Sequence, residues 1–135
     1  MKYWLVKSEP ESYSWDDFVK LGRDHWEGGR NYQARNFMQE MAVGDQVLFY
    51  HSGKVREVVG LAEVLRTAYQ DPTTDDDRWV AVDMAPIRPL KRFVSLAEIK
   101  ADERLAEIKL IKNSRLSVMP LQEAEYGIIL ALAGE

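Results

Sequence analysis

The sequence has no cysteine and only two histidines, His25 and His51, among its 135 residues. Disulfides, thiolate zinc sites and cysteine nucleophiles are thereby excluded. Two imidazoles are thin provision for a metal centre or a proton shuttle, and neither a metal nor a cofactor is expected. No apolar run nears the ~18 residues of a membrane-spanning helix. The opening Met1-Lys2-Tyr3-Trp4-Leu5-Val6-Lys7 lacks the apolar stretch of about 7–15 residues that marks a signal peptide. A soluble, cytoplasmic protein is expected, or a nuclear one if the source is eukaryotic. A basic excess is missing too, since 18 Lys and Arg stand against 22 Asp and Glu for a net charge of −4. Binding driven by bulk phosphate neutralisation is therefore not expected, although local basic clusters remain at 88–92 and 109–115. Asp75-Asp76-Asp77 lacks the regular ligand spacing of a calcium loop and reads as solvated surface. No linker rich in Pro, Gly or Ser interrupts the chain, whose length suits one domain over 1–135.

What is present is a mixed pattern of strands and helices. Tyr3 to Ser8 reads as a central strand, apolar on both faces and ended by Pro10. Ser14-Trp15-Asp16-Asp17-Phe18 opens a helix with a capping box from Ser14 to Asp17, and Gly22 stops it. Residues 23–32 read as a loop whose Gly28-Gly29 pair permits positive φ. A second helix is predicted from Gln33 to Met41, with Ala34, Phe37, Met38 and Met41 on its core stripe. Strands follow at 46–52, 57–69 and 79–84, the last running toward Pro86 and Pro89. Gly60 within the second of these marks a bulge or a close backbone approach. Ser95-Leu96-Ala97-Glu98 is another capping box, 104–111 reads as a short helix, and 122–132 as a closing one.

Enzyme signatures are lacking. There is no phosphate-binding loop, no dinucleotide fingerprint and no Gly-x-Ser-x-Gly elbow. His51 and Ser52 are adjacent on a strand, so their side chains point to opposite faces. His51 reads first as a partly buried histidine at a strand end, with ligand contact and base catalysis as alternatives. Glu9, between a strand end and a proline, is the one carboxylate that caps and loops do not explain. Aromatic and amide residues gather instead at loops and element ends: Trp26, Tyr32, Tyr50 and Trp79 with Asn31, Arg35, Asn36, Ser8, Ser52, Ser114 and Arg115. Aromatic faces stack on bases, and amides, hydroxyls and arginines read base edges or hold phosphate. Trp4, Trp15 and Tyr50 match strand or helix periodicity and read as core. Trp26 and Tyr32 lie on no periodic face, so core and ligand contact are both open for them. Asn31 has a second reading as the cap of the next helix.

The blocks 3–10, 13–17, 26–36, 41–45, 49–52, 59–60, 69–72 and 114–118 run in the order of the EVE-domain family, which the chain resembles over nearly its whole length. Among them are Tyr3-Trp4-Leu5-Val6-Lys7-Ser8-Glu9-Pro10, Trp26-Glu27-Gly28-Gly29-Arg30-Asn31-Tyr32 and Phe49-Tyr50-His51-Ser52. Gly29 departs from the pattern, where a Val-like residue is expected. The resemblance implies an α+β, PUA-like fold: a small, mostly antiparallel or mixed β-barrel of about five strands with four or five helices around it. It also implies kinship with the YTH readers of modified RNA. The function it implies is a non-catalytic module that reads a modified base, such as a modified cytosine in DNA. Carried over by position, the pocket draws on Lys7, Ser8, Glu9, Trp26, Asn31, Tyr32, Arg35 and Asn36, with His51, Ser52, Ser114, Arg115 and Ser117. In this reading Trp26 stacks, Asn31 and Ser8 meet the base edge, and Arg35 and Arg115 hold phosphate. The expected partners are nucleic acid with a modified base and an effector protein acting on the marked site, with a monomer favoured. Two rivals stand beside it: an enzyme acting on a nucleotide or metabolite through Glu9 and His51, and a protein-interaction module.

Overall fold

The computed structural model describes residues 1–27 and 31–135. The expectations attached to Gly28 and Gly29 lie outside the described residues. Six strands form one sheet: β1 (Tyr3–Ser8), β2 (Asp24–Trp26), β3 (Gln46–His51), β4 (Glu57–Gln70), β5 (Val80–Ser95) and β6 (Val118–Leu121). Their order is β2-β5-β4-β3-β1-β6, and β1 against β3 is the one parallel pairing within it. β1 has hydrogen-bonded neighbours on both sides, as its two apolar faces predict, and its Trp4, Leu5 and Val6 are buried. The sheet curls because β4 and β5 run long, at 14 and 16 residues, and lose register four times. Each irregularity bends and twists the ribbon. Pro86 and Pro89, which lack an N–H for the ladder, sit in that irregular stretch opposite Ala62 and Gly60. The result is a mixed half-barrel of the expected PUA-like kind.

Among the described residues five α-helices surround the sheet: α1 (Trp15–Leu21), α2 (Tyr32–Gln39), α3 (Leu96–Ala101), α4 (Lys109–Lys112) and α5 (Glu123–Leu132). The capping boxes expected at Ser14 and Ser95 are both formed. Ala34, Met38 and Met41 are buried, as the predicted stripe of α2 requires, with Phe37 packed partly against the core. Over the far end of the sheet, Tyr126 of α5 stacks on Tyr3 at 4.2 Å and donates to Gln46 Oε1. No helix among the described residues is long and apolar enough to cross a membrane.

Six strands agree with the expected number of about five, and two local expectations are corrected. The loop read at 23–32 contains β2, and β6 forms in the unassigned stretch before Leu121. A three-residue strand such as β2 is too short to show a period. The helix expected at 104–111 is broken into a 3-10 turn at Glu103–Leu105 and the single turn α4. Leu105, Ile108 and Leu110 are all buried, and their spacing of three then two cannot share one helical stripe.

Candidate functional site

A cavity of about 360 Å³ opens where the end of β1 faces β2, lined by Lys7, Ser8, Tyr13, Asp24, His25, Trp26, Glu27 and Ser117. That volume falls at the small end of ligand pockets. The local sequence builds it in three steps. The β1 strand ends at Ser8, whose Oγ donates to the Tyr13 carbonyl at 2.5 Å and folds the intervening turn back over the strand end. The β2 strand is then held at the sheet edge by antiparallel pairing of Asp24, His25 and Trp26 with Met84, Asp83 and Val82. Asp83 reinforces this edge, accepting from Tyr69 Oη at 2.5 Å and from Arg23 at 2.8 Å. Lys7 closes the opposite wall: its amide donates to the Ser117 carbonyl at 2.9 Å and its Nζ to the Ser114 carbonyl at 2.7 Å.

Trp26 answers the question its sequence leaves open by being both core and cavity wall. Its ring meets Tyr13, Phe18 and Phe49 edge-on at 6.0, 6.1 and 5.6 Å, while the residue remains partly exposed and lines the cavity. An aromatic held by three ring contacts this way is pre-oriented, so little rotamer freedom is left to lose on stacking. The polar lining is mixed. The Tyr13 hydroxyl is buried, and the Asp24 carboxylate is the acceptor nearest to it in charge and hydrogen bonding. Burial first, then the neighbouring Asp24 carboxylate, pushes its phenol well above the ordinary range, so it is a neutral donor at all physiological pH. His25 lies between two carboxylates, its Nδ1 3.4 Å from Asp24 and its Nε2 3.4 Å from Glu27. Burial holds the Lys7 ammonium below its usual pKa.

The residues singled out in sequence separate into three groups. Lys7, Ser8, Trp26 and Ser117 line this cavity. Ser52 and Ser114 lie on the far side of Lys7, in a second cavity that Lys7 also lines. Glu9, Asn31, Tyr32, Arg35, Asn36, His51 and Arg115 line neither. Asn31 Oδ1 accepts from the Ala34 amide at 2.9 Å and caps α2, so the atom proposed for a base edge is already engaged. Tyr32 is half-exposed against Trp79, with the Arg35 guanidinium 4.9 Å above its ring. Arg35 also donates to Asn36 Oδ1 at 2.8 Å. His51 Nε2 accepts from the Trp15 amide at 3.0 Å, capping α1. Burial lowers its pKa against the opposing pull of Asp16 and Glu57, and the accepting nitrogen must be unprotonated. His51 is therefore a structural acceptor, and exposed Glu9 does not share a cavity with it.

Sequence reasoning missed Tyr13, Asp24, His25 and Glu27. Tyr13 lay within a family-like block, whereas Asp24, His25 and Glu27 sit in a stretch too short to show a period.

The family model for the EVE domain matches residues 2–132. Thymocyte nuclear protein 1 of Mus musculus is 36% identical in an alignment covering 96% of this chain and 73% of its own. A protein of Rhodopseudomonas palustris, solved by NMR, is 44% identical with a TM-score of 0.94, covering 99% of this chain and 94% of that one. Human thymocyte nuclear protein 1, solved in complex with DNA containing 5-methylcytosine, is 33% identical with a TM-score of 0.90, covering 100% of this chain and 99% of that one. A match across almost every element of the half-barrel leaves one assignment: the chain belongs to the EVE domain family.

Proposed function

We propose that this chain is a non-catalytic reader of nucleic acid that takes one modified cytosine out of its strand and into the cavity between β1 and β2. The observation that carries the reading is a fixed aromatic wall, Trp26, in one cavity with the carboxylates of Asp24 and Glu27 and the Lys7 ammonium. The relative solved with 5-methylcytosine DNA supplies the ligand class. The chemistry is complementary. Asp24 or Glu27 accepts from the exocyclic amine of cytosine, as carboxylates do. Tyr13 Oη and Lys7 Nζ are donors for the ring acceptors N3 and O2. A base that does not match these polar groups leaves one of them unsatisfied, which is a stronger penalty than a missing methyl contact. Flipping costs a few kcal/mol and stacking on one aromatic face returns about 1–3 kcal/mol. Glu9 and His51 do not line this cavity, and His51 Nε2 is engaged by the Trp15 amide, which favours binding over an acid–base role for that pair. Having no catalytic machinery of its own in this reading, the domain would hand the marked site to an effector partner.

The test is binding of short single- and double-stranded oligonucleotides, DNA and RNA, with one central cytosine modified or unmodified, at two salt concentrations. A preference for the modified base that survives the higher salt is expected. Trp26→Ala should weaken that binding by roughly 5- to 150-fold, the equivalent of about 1–3 kcal/mol. Equal, salt-sensitive binding to every oligonucleotide, or turnover of the bound strand, would refute the reading.

A further inference from the structure

A second cavity, of about 410 Å³, lies on the other side of Lys7, and its lining includes Tyr50, Ser52, Arg56, Lys100 and Ser114. It continues across Arg56, Leu96 and Lys100 into a hollow of about 300 Å³ beside α3. Three cations and no carboxylate line the larger cavity, in a chain whose net charge is −4. The Glu9 carboxylate packs behind Gly53, where an added Cβ would meet it at 3.6 Å. Among the described residues no ion pair engages Arg56 or Lys100. Arg56 makes a single side-chain hydrogen bond among them, from Nε to the Gly53 carbonyl at 3.0 Å, leaving the two terminal nitrogens of its fork without a protein partner there.

The backbone at Arg56 adds a second, independent observation. Its φ is +55°, the one left-handed value at a non-glycine position among the described residues. An L-residue meets a steric penalty there that glycine escapes. Arg56 ends the turn that joins β3 to β4, and its carbonyl accepts from the Leu96 amide at 2.9 Å. Here this turn sets an unpaired guanidinium at the rim of a basic cavity whose other wall, Lys7, is shared with the base pocket.

We infer that this groove holds the sugar-phosphate backbone of the strand whose base enters the neighbouring cavity, with Arg56 and Lys100 on phosphates and the Ser52 and Ser114 hydroxyls beside them. The inference rests on the base-reading assignment above. Its occupant is phosphate on a polynucleotide: the fork of Arg56 matches phosphate geometry, and Lys7 at the common wall makes the groove the immediate neighbour of the base pocket. Contacts of this kind position a strand without reading its sequence.

Arg56→Gly tests it, because glycine accepts the left-handed backbone and the variant should melt within roughly 3 °C of the wild type. Against a short single-stranded DNA with one central 5-methylcytosine, it should bind roughly 3- to 10-fold more weakly. The slope of log affinity against log salt should fall by about 0.7. The ratio of modified to unmodified affinity should not change, and neither should binding of the free nucleoside 5-methyl-2′-deoxycytidine. Lys100→Met should act in the same direction. Inorganic phosphate at the same ionic strength should compete weakly in the wild type and less in Arg56→Gly. An unaltered affinity and salt slope in both variants, with the wild-type base preference intact, would overturn the groove alone. A wild type that shows no base preference would instead overturn the reading on which the groove depends, and the groove with it.

Discussion

Gly60→Ala should destabilise the protein by a calculable route. A Cβ built at Gly60 would lie 2.5 Å from Trp15 Cζ3 and 2.6 Å from Cε3 and Cη2. Ordinary carbon contacts are about 3.5–4.0 Å, so the indole must move by about 1 Å. It has little room, being 6% exposed and edge-on to Phe18 at 5.8 Å and to Phe49 at 5.3 Å. Its own amide is tied to His51. Overpacking of this kind costs about 1–3 kcal/mol, and the lost flexibility of the unfolded chain offsets about 0.5–1 kcal/mol. The net loss is roughly 1–2 kcal/mol, or about 3–10 °C in a chain of this size. Urea unfolding followed by far-ultraviolet circular dichroism measures it. Trp15→Phe in both backgrounds supplies the internal check: the smaller ring should cost less in the Gly60→Ala background than in the wild type, with a coupling of at least about 0.5 kcal/mol. A Gly60→Ala variant within about 0.3 kcal/mol of the wild type, or strictly additive double-variant energies, would refute the packing argument.

Burial opposes ionisation of Asp45, but hydrogen bonds from the Trp4 indole N–H and from the Ala42 and Lys2 amides outweigh it and hold its pKa below the usual carboxylate value. The stabilisation is therefore complete above about pH 4 and fades as pH falls through the lower folded value. Asp45→Ala should cost about 1–3 kcal/mol at pH 7 and much less at pH 3, and an equal cost at both pH values in urea titrations would count against this. Burial, and then the bond to Asp83, pushes the Tyr69 phenol up to about 12. Asp83→Ala should bring it down toward the normal tyrosine value in an ultraviolet titration and speed hydrogen exchange at residues 24–26. Unchanged exchange there would mean that Asp83 does not hold β2. Asn31→Ala should lose about 1 kcal/mol while Asn31→Asp keeps the cap. Loss of base selectivity in Asn31→Asp at full stability would show that the side chain reads the ligand instead.

How much of the fold was legible depended on the length over which each signal repeats. The α1 and α3 capping boxes, the α2 stripe and the central place of β1 rest on several residues each, and all are found where the sequence puts them. Gly60 was readable as a close approach because a glycine in an apolar strand forgoes a packed side chain, which suits a neighbour that needs the space. Yet that neighbour, Trp15, lies 45 positions away and no local pattern names it. The site was only half legible for the same reason. Lys7, Ser8, Trp26 and Ser117 line the cavity between β1 and β2, but Asp24, His25 and Glu27 join it through a strand whose pairing is decided by β5, some 60 positions later. Asn31 was ambiguous between site and cap, and His51 between a partly buried strand-end histidine and a site residue. The structure places both as caps, because a helix start must satisfy its free amides before a side chain is available for anything else.

The net charge misleads about local field, and the ion pairs explain how. Arg23, Arg78, Arg88, Arg92 and Arg104 are each paired with a carboxylate, those of Asp83, Asp76, Glu135, Glu98 and Asp102 respectively. Each such pair removes an acid and a base together from the field that a ligand meets. The cluster at 88–92, which looked like a basic patch in sequence, is partly neutralised in this way by Glu135 and Glu98. What stays unpaired among the described residues beside the first cavity is Lys7, Arg56 and Lys100, three cations that are scattered in sequence and gathered in space. An acidic chain can therefore carry a local positive field at one place and a negative one elsewhere. Under the proposed reading, that distribution would favour a single docked nucleotide over sliding along the backbone. It also fixes what charge removal should do: removing a paired arginine such as Arg92 ought to change stability by little and binding not at all, whereas removing Arg56 ought to change binding and leave stability nearly untouched.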